Sequence, residues 1–420
     1  MYAIVDCNNF FVSCETVFNP SLKGKPVVVL SNNDGCVISR SQQAKDAGIK
    51  MGLPAYQIND DKTVLYSSNY VLYGDMSRRV MSVLADSMPN IHVYSIDEAF
   101  VDFSGFEASR IEAECRSVIK KIRKYTGIPV SIGVAPNMTL AKLANRFAKR
   151  YKGYGGYCAI DDDVKRLKAL ELSKIEDVWG VGRRYSAFLK RQGIVTAADF
   201  TRQSAACIKH YMKLPGLRTY RELYGEQVIE PRKYVANKSV CVSRSFAKGV
   251  ADMQAMEEAV SNFASSCAAK LRRQRSVATC ITVFIMTNFY DSRSEKYYNS
   301  VTVTMPQPSN NTVEIVQTAL RALSLVFRDG YSYRKAGVIA TEISSDRYVQ
   351  QNLFHEADND RMESINRLLD NLNSKYGKKM LRLAVEGGVN EERNEGWRAR
   401  REHLSKNFTT DIREIIEVKA

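Results

Sequence analysis

Short apolar runs alternate with longer stretches of helical periodicity through the first 160 residues. Residues 2–5, 27–30, 92–95 and 130–134 are β-prone runs, and 73–87 and 111–125 carry apolar positions at helical spacing. This alternation predicts a mixed α/β layer, with helices packed on a sheet. Residues 20–75 interrupt the layer with a small unit of their own, including Gly35 and a predicted helix over 39–47. From 164 to about 225 the chain reads as helices joined by short glycine-containing turns, and 231–238 reads as a basic linker. Beyond it, strand 240–246, helix 253–271, strands 280–286 and 301–305, helix 313–326 and strand 335–343 follow in turn. That β-α-β-β-α-β order makes a complete small domain with its helices on one sheet face.

Within this frame, Asp6 closes the apolar run Tyr2-Ala3-Ile4-Val5, and Asp97 and Glu98 sit inside Ser95-Ile96-Asp97-Glu98-Ala99-Phe100, which reads as a strand or a tight hairpin. Carboxylates set among apolar neighbours lose several kcal/mol of solvation, roughly, unless a counter-charge is present. A divalent metal is one such counter-charge. Three carboxylates from two neighbouring strands offer the hard oxygen ligands that Mg²⁺ prefers, leaving positions for water and phosphate, as two-metal phosphoryl transfer requires. Alone, an Asp-Glu pair reads more readily as a turn cap and Asp6 as a strand end; the rest of the chain reverses that reading.

Charge narrows the partner. The formal net charge is +15, and residues 355–420 hold 13 basic and 13 acidic residues, so the whole excess lies in 1–354. Such a field suits a phosphate backbone, although a merely solvated basic surface has the same composition. The nine cysteines are scattered without a Cys-x-x-Cys pair, and none of the four histidines stands near one at zinc-finger spacing. They read as reduced thiols of a cytoplasmic protein, and a zinc site is not expected. No apolar run is long enough to cross a bilayer, and nothing at the amino terminus suggests secretion.

Further motifs carry candidate chemistry. Phe10 and Phe11 follow Asp6 closely, so one ring can pack inward while the other stands beside a nucleotide sugar. Ser39, Gln42 and Lys45, three residues apart, are expected on one helix face able to hold a triphosphate, or on an ordinary wet face. Residues 136–160 contain no acid but include Lys142, Arg146, Lys149, Arg150 and Lys152, and should border phosphate. Residues 175–184, with Gly180, Gly182 and Arg183, resemble a helix-hairpin-helix whose helix-start N–H groups take a DNA phosphate. Arg244, Arg272 and Arg273 give the second domain a basic side. Gln350-Gln351-Asn352-Leu353-Phe354 has the form of a short docking peptide with an apolar anchor.

Taken together, Asp6 with Phe10-Phe11, the Ser95–Phe100 segment, and Ile132-Gly133-Val134-Ala135 through Lys142-Leu143-Ala144 resemble the Y-family translesion DNA polymerases. The stretch 25–37, the motif Ser67-Ser68-Asn69-Tyr70 and Ser405-Lys406-Asn407-Phe408-Thr409-Thr410 are similar to the bacterial SOS-mutagenesis branch of that family. The resemblance implies a multidomain α/β (α+β) right-hand polymerase. Its palm would span 1–19 and 76–163, its fingers 20–75, its helix-hairpin-helix thumb 164–230, a linker 231–239, and its βαββαβ little-finger domain 240–345. A tail over 346–420 would bind a clamp and other partners.

The resemblance implies two Mg²⁺ ions on Asp6, Asp97, Glu98 and the Cys7 carbonyl. Phe11 would be a steric gate against the ribose 2′-hydroxyl, where many relatives have tyrosine, and Lys45 and Lys149 would contact the triphosphate. Gln42 stands where relatives outside this branch often carry tyrosine. Partners implied are primer-template DNA and dNTPs, a sliding clamp on Gln350, Leu353 and Phe354, UmuD′-type subunits and a RecA-type filament, with the protein nucleoid-associated when active. Two rivals stay open: a nucleotidyl cyclase, which needs no hairpin element or clamp peptide, and a DNA- and clamp-binding protein that blocks replication without synthesis.

Overall fold

The computed structural model describes every residue except 232–235, 293–294, 351, 353–358, 377–379, 388–396, 398 and 418–420, and only the backbone of 359–360. The chain forms two compact units, Met1–Lys233 with Glu402–Ala420, and Tyr234–Arg401. The first contains β1 (Tyr2–Cys7), α1 (Phe10–Phe18), β2 (Val27–Leu30), β3 (Val37–Arg40), α2 (Gln42–Asp46), β4 (Val64–Ser67), α3 (Tyr70–Ala85), β5 (Ile91–Val93) and β6 (Glu98–Asp102). It continues with α4 (Ala108–Thr126), β7 (Val130–Ala135), α5 (Met138–Arg150), β8 (Tyr157–Ala159), α6 (Asp163–Leu172), α7 (Arg183–Arg191), α8 (Ala197–Thr201) and α9 (Ala205–Leu223).

Its larger sheet has the order β5-β6-β1-β7-β8, with β1 central and antiparallel to both β6 and β7. Side chains alternate across a strand. Tyr2 and Ile4 accordingly join a core built from α5 to α9, while Ala3, Val5 and Cys7 join a second core under α1, α3 and α4. By the same alternation Asp6 faces α5. That helix lies close against the sheet because residue 133 is glycine: a Cβ there would fall 2.1 Å from the Asn145 backbone nitrogen and 2.3 Å from the Ala141 carbonyl.

A smaller sheet, β3-β2-β4, stands on Val28, Leu30, Val37, Ala44 and Ile49. Here the expected helix over 39–47 is shorter. Ser39 belongs to β3, opposite Val29, and the helix starts only at Gln42, capped by the Ser41 hydroxyl, which accepts from the Ala44 N–H at 3.2 Å. Pairing with β2, remote in sequence, overrides local helical spacing, so Ser39, Gln42 and Lys45 do not share a helix face.

The second unit contains β9 (Val240–Val250), α10 (Met253–Arg273), β10 (Ser276–Thr287), β11 (Tyr298–Ser309), α11 (Thr312–Val326), β12 (Tyr333–Ser345) and α12 (Asn359–Tyr376). Its antiparallel sheet runs β11-β10-β12-β9, and α10 and α11 bury Phe263, Leu271, Val316 and Leu323 in a core with Ile281, Val283 and Val338. The β-α-β-β-α-β order is therefore present with longer strands. Arg272 departs from its expected role: its guanidinium bonds both carboxylate oxygens of Asp370 at 2.7 Å and the Asn310 carbonyl. It ties α12 to α10 and to the turn after β11 instead of facing solvent, whereas Arg244 and Arg273 are exposed. Among the described residues no helix is long and apolar enough to cross a membrane.

Candidate active site

Asp6 and Glu98 are cross-strand partners on β1 and β6. Like charges placed directly opposite on antiparallel strands repel, so this register demands a counter-charge. Both receive one from α5. Lys142 and Lys149 lie seven residues apart, on one face of that helix. The Lys142 ammonium reaches the Glu98 carboxylate at 3.0 and 3.1 Å, and Lys149 pairs with Asp6. Lys142 also lies 4.6 Å from the ring centre of Tyr94 and 5.5 Å from that of Trp179.

Asp97 sits in the tight turn before β6 rather than in the strand. The Tyr94 and Ser95 N–H groups both donate to the Glu98 carbonyl, which ends β5 at Val93, short of the 92–95 expected from sequence. The Asp97 carbonyl accepts the Cys7 N–H at 2.9 Å, tying the turn to β1, and its carboxylate takes the Ser95 hydroxyl at 2.6 Å.

Burial pushes the Asp6 carboxyl upward, Lys149 pulls it back, and neighbouring Glu98 pushes it up again, leaving it at about 7. Burial, followed by the charges of Asp6 and Asp97, keeps the Cys7 thiol neutral by raising it well above its usual range. Thus Cys7 offers its carbonyl rather than a thiolate.

Among the described residues no three acidic, histidine or cysteine side chains are gathered closely enough to hold a metal as they stand. Asp6 and Glu98 nevertheless form a hard oxygen pair whose mutual repulsion is offset by a lysine ammonium on each, where a cation would be stabilised. The donor set therefore fits a divalent metal.

The elevated Asp6 value has a definite consequence for stability. Below the ordinary 3.8 both folded and unfolded chains are protonated; between there and about 7 only the unfolded chain loses its proton, so stability falls as pH rises and the loss is complete above about 7. In the presence of a chelator, Asp6→Asn should therefore gain on the wild type by about 3 kcal/mol between pH 5 and pH 8. Thermal melts check this: a constant gap between the two proteins across that range would show that Asp6 ionises normally.

Asp6, Cys7, Asn9, Phe10, Phe11, Ile38, Ser39, Arg40, Lys45, Met51, Asp97 and Lys149 line one cleft of about 310 Å³. Its lining brings the acids Asp6 and Asp97 together with the cations Arg40, Lys45 and Lys149. Burial and the nearby charges of Arg40 and Lys149 lower the Lys45 pKa, and its ammonium rests on the Asn9 side-chain oxygen at 2.7 Å. A polyanion entering here would relieve that mutual repulsion. Phe11 is stacked on Tyr73 with ring centres 4.6 Å apart and meets Tyr70 edge-on, while Phe10 is buried.

Ser39 thus reaches the cleft from a strand. Gln42 does not line it, its amide being 2.8 Å from Asp46. Arg40 and Asn9 carry no sequence signal for the cleft: Arg40 follows Ser39 on the strand edge, and only the three-dimensional approach of α1 brings Asn9 to Lys45.

Elsewhere, Gly180 has φ +92°, a conformation that favours glycine, and exposed Gly182 and Arg183 begin α7, whose first turn has no side-chain cap. Of the acid-free stretch, Arg146 pairs with Asp177 at 2.5 Å. Gln350 is exposed beyond β12, while Leu353 and Phe354 lie outside the described residues.

The impB/mucB/samB family matches residues 5–146, its C-terminal domain matches 237–353, and a Domain of unknown function (DUF4113) matches 363–418. The chain is 38% identical to Protein UmuC of Salmonella typhimurium over 100% of both chains. It is 26% identical to DNA polymerase IV of Bacillus velezensis, covering 90% of this chain and 91% of that protein. A solved Y-family DNA polymerase chimera superposes with a TM-score of 0.64 at 22% identity, covering 82% of this chain and 99% of the chimera. The chain therefore belongs to the impB/mucB/samB family and has the fold of the Y-family DNA polymerases.

Proposed function

We propose that this cleft is the nucleotidyl-transfer site of an error-prone translesion DNA polymerase acting in SOS-type damage tolerance. The observation that carries this reading is the convergence of Asp6 and Asp97 with Phe11, Lys45 and Lys149 on one cleft, in a chain of this family. Asp6, Asp97 and Glu98, with the Cys7 carbonyl, would hold two Mg²⁺ ions, whose chemistry when bound is activation of the primer 3′-hydroxyl and stabilisation of the leaving pyrophosphate. Lys45 and Lys149, released from Asn9 and Asp6, bind the triphosphate beside Arg40, and Phe11 lies under the sugar. Ser39 supports the same pocket; Gln42 has no part in it.

The palm, fingers, thumb and little-finger boundaries expected from sequence belong to this reading. So do phosphate contacts by Gly180, Gly182, Arg183, Arg244 and Arg273, with Arg272 withdrawn. Gln350, Leu353 and Phe354 would dock on the sliding clamp, and the tail on UmuD′-type subunits and a RecA-type filament, in a cytoplasmic, nucleoid-associated protein.

Primer extension with Mg²⁺ and all four dNTPs tests the reading: extension should occur and stop with a chelator, whereas cyclic nucleotide formed without primer-template would favour a cyclase. Lys45→Ala should raise the dNTP KM about tenfold with a smaller change in kcat, because a charge-assisted phosphate contact made on binding is lost. Steady-state single-nucleotide insertion measures it, and an unchanged KM would remove Lys45 from the triphosphate.

A further inference from the structure

Two motifs set apart in the sequence, Ser67–Tyr70 and Ser405–Thr410, have no place in the cleft, yet the fold brings them together. Residues 402–408 run along the end of β4 and the start of α3. The His403 N–H donates to the Ser67 hydroxyl and the His403 carbonyl accepts the Ser67 N–H, both at 2.9 Å. Asn69 caps α3 through the Leu72 N–H at 3.1 Å and donates its amide to the Ser405 carbonyl at 3.1 Å. Phe408 stacks on Phe18 of α1 with centroids 4.9 Å apart.

At the middle of this contact the Ser405 hydroxyl donates to Glu15 at 3.0 Å. The same Glu15 oxygen accepts the Tyr73 hydroxyl at 2.6 Å. Glu15 is 1% exposed and Tyr73 fully buried. A buried carboxylate needs such donors to stay in place. Glu15 and Phe11 are one turn apart on α1, and the Tyr73 ring that stacks on Phe11 is the ring whose hydroxyl Glu15 holds.

We infer that the C-terminal segment 402–408 is an intramolecular clasp that sets the position of the Phe11 ring through Ser405, Glu15 and Tyr73, and so sharpens discrimination between deoxyribonucleotides and ribonucleotides. The inference rests on the reading of Phe11 as the sugar gate. Ser405, Glu15 and Tyr73 are positioning residues: none lines the cleft. It also gives part of the C-terminal domain of unknown function a task inside its own chain.

The test is the ratio of kcat/KM for dNTP over rNTP insertion by the full chain, for Ser405→Ala and Tyr73→Phe, each alone and combined with Phe11→Ala. Tyr73→Phe keeps the stacked ring and removes only the hydroxyl. Each single variant should lower the ratio about three- to tenfold, through a lower rNTP KM with dNTP insertion unchanged. Neither should add to the effect of Phe11→Ala, because both act through that ring, and Ser405→Thr should keep the wild-type ratio.

An unchanged ratio in both variants, with Phe11→Ala lowering it, overturns the clasp and leaves the gate standing. A ratio unaffected by Phe11→Ala removes the gate and the clasp with it. An equal loss of dNTP and rNTP insertion, or an undiminished effect in the Phe11→Ala background, shows only a structural role and also overturns the inference.

Discussion

Asp97→Ala is expected to abolish primer extension, a loss of about 10³-fold or more, while leaving affinity for primer-template DNA within about twofold. The expectation follows from what this residue does and does not hold. Its backbone carbonyl anchors Cys7, and alanine retains that bond. Among the described residues its carboxylate bonds the Ser95 hydroxyl, and the side chain lines the cleft. The substitution thus removes a charge that the fold does not need. In the proposed reaction that charge is needed, because Asp97 is one of the three carboxylates that would hold the metal ions once Lys149 leaves Asp6 for the triphosphate. Extension assays with fluorescence anisotropy on the same DNA separate chemistry from binding, and extension above about a tenth of wild type would take Asp97 out of the site.

The parts of the molecule legible in sequence are those whose signals are local. The alternation in β1 places Asp6 on the α5 face, and the periodicities of 240–345 give the order of the second unit, because strand and helix periods need no knowledge of partners. Ser39 misleads for the opposite reason: its helical spacing with Gln42 and Lys45 is real, but β2 claims it through a ladder formed across the chain. Arg272 belongs to a basic side in the linear pattern because Asp370, its partner, lies 98 residues away. The Glu15 network joins residues separated by 58 and 390 positions, and a glutamate on an apolar helix carries no signal of either partner. Long-range polar pairing, more than packing, is what the linear pattern conceals.

Phe11→Ala should raise ribonucleotide insertion relative to deoxyribonucleotide insertion by about 10²-fold, near the discrimination an apolar wall achieves against one added hydroxyl. Phenylalanine has no hydroxyl of its own, so this gate works by shape alone, and shape requires that the ring cannot yield. Three aromatic neighbours restrain it: Tyr73 stacks on one face, Tyr70 meets it edge-on, and Phe10 packs at 5.8 Å from the same helix. Alanine removes the ring that lines the cleft, so space is gained where a 2′-hydroxyl would stand. Phe11→Tyr makes the complementary case. Its added hydroxyl extends the wall toward the sugar and should hold or increase the wild-type ratio, whereas a ratio as low as that of alanine would mean that the ring at position 11 does not face the sugar.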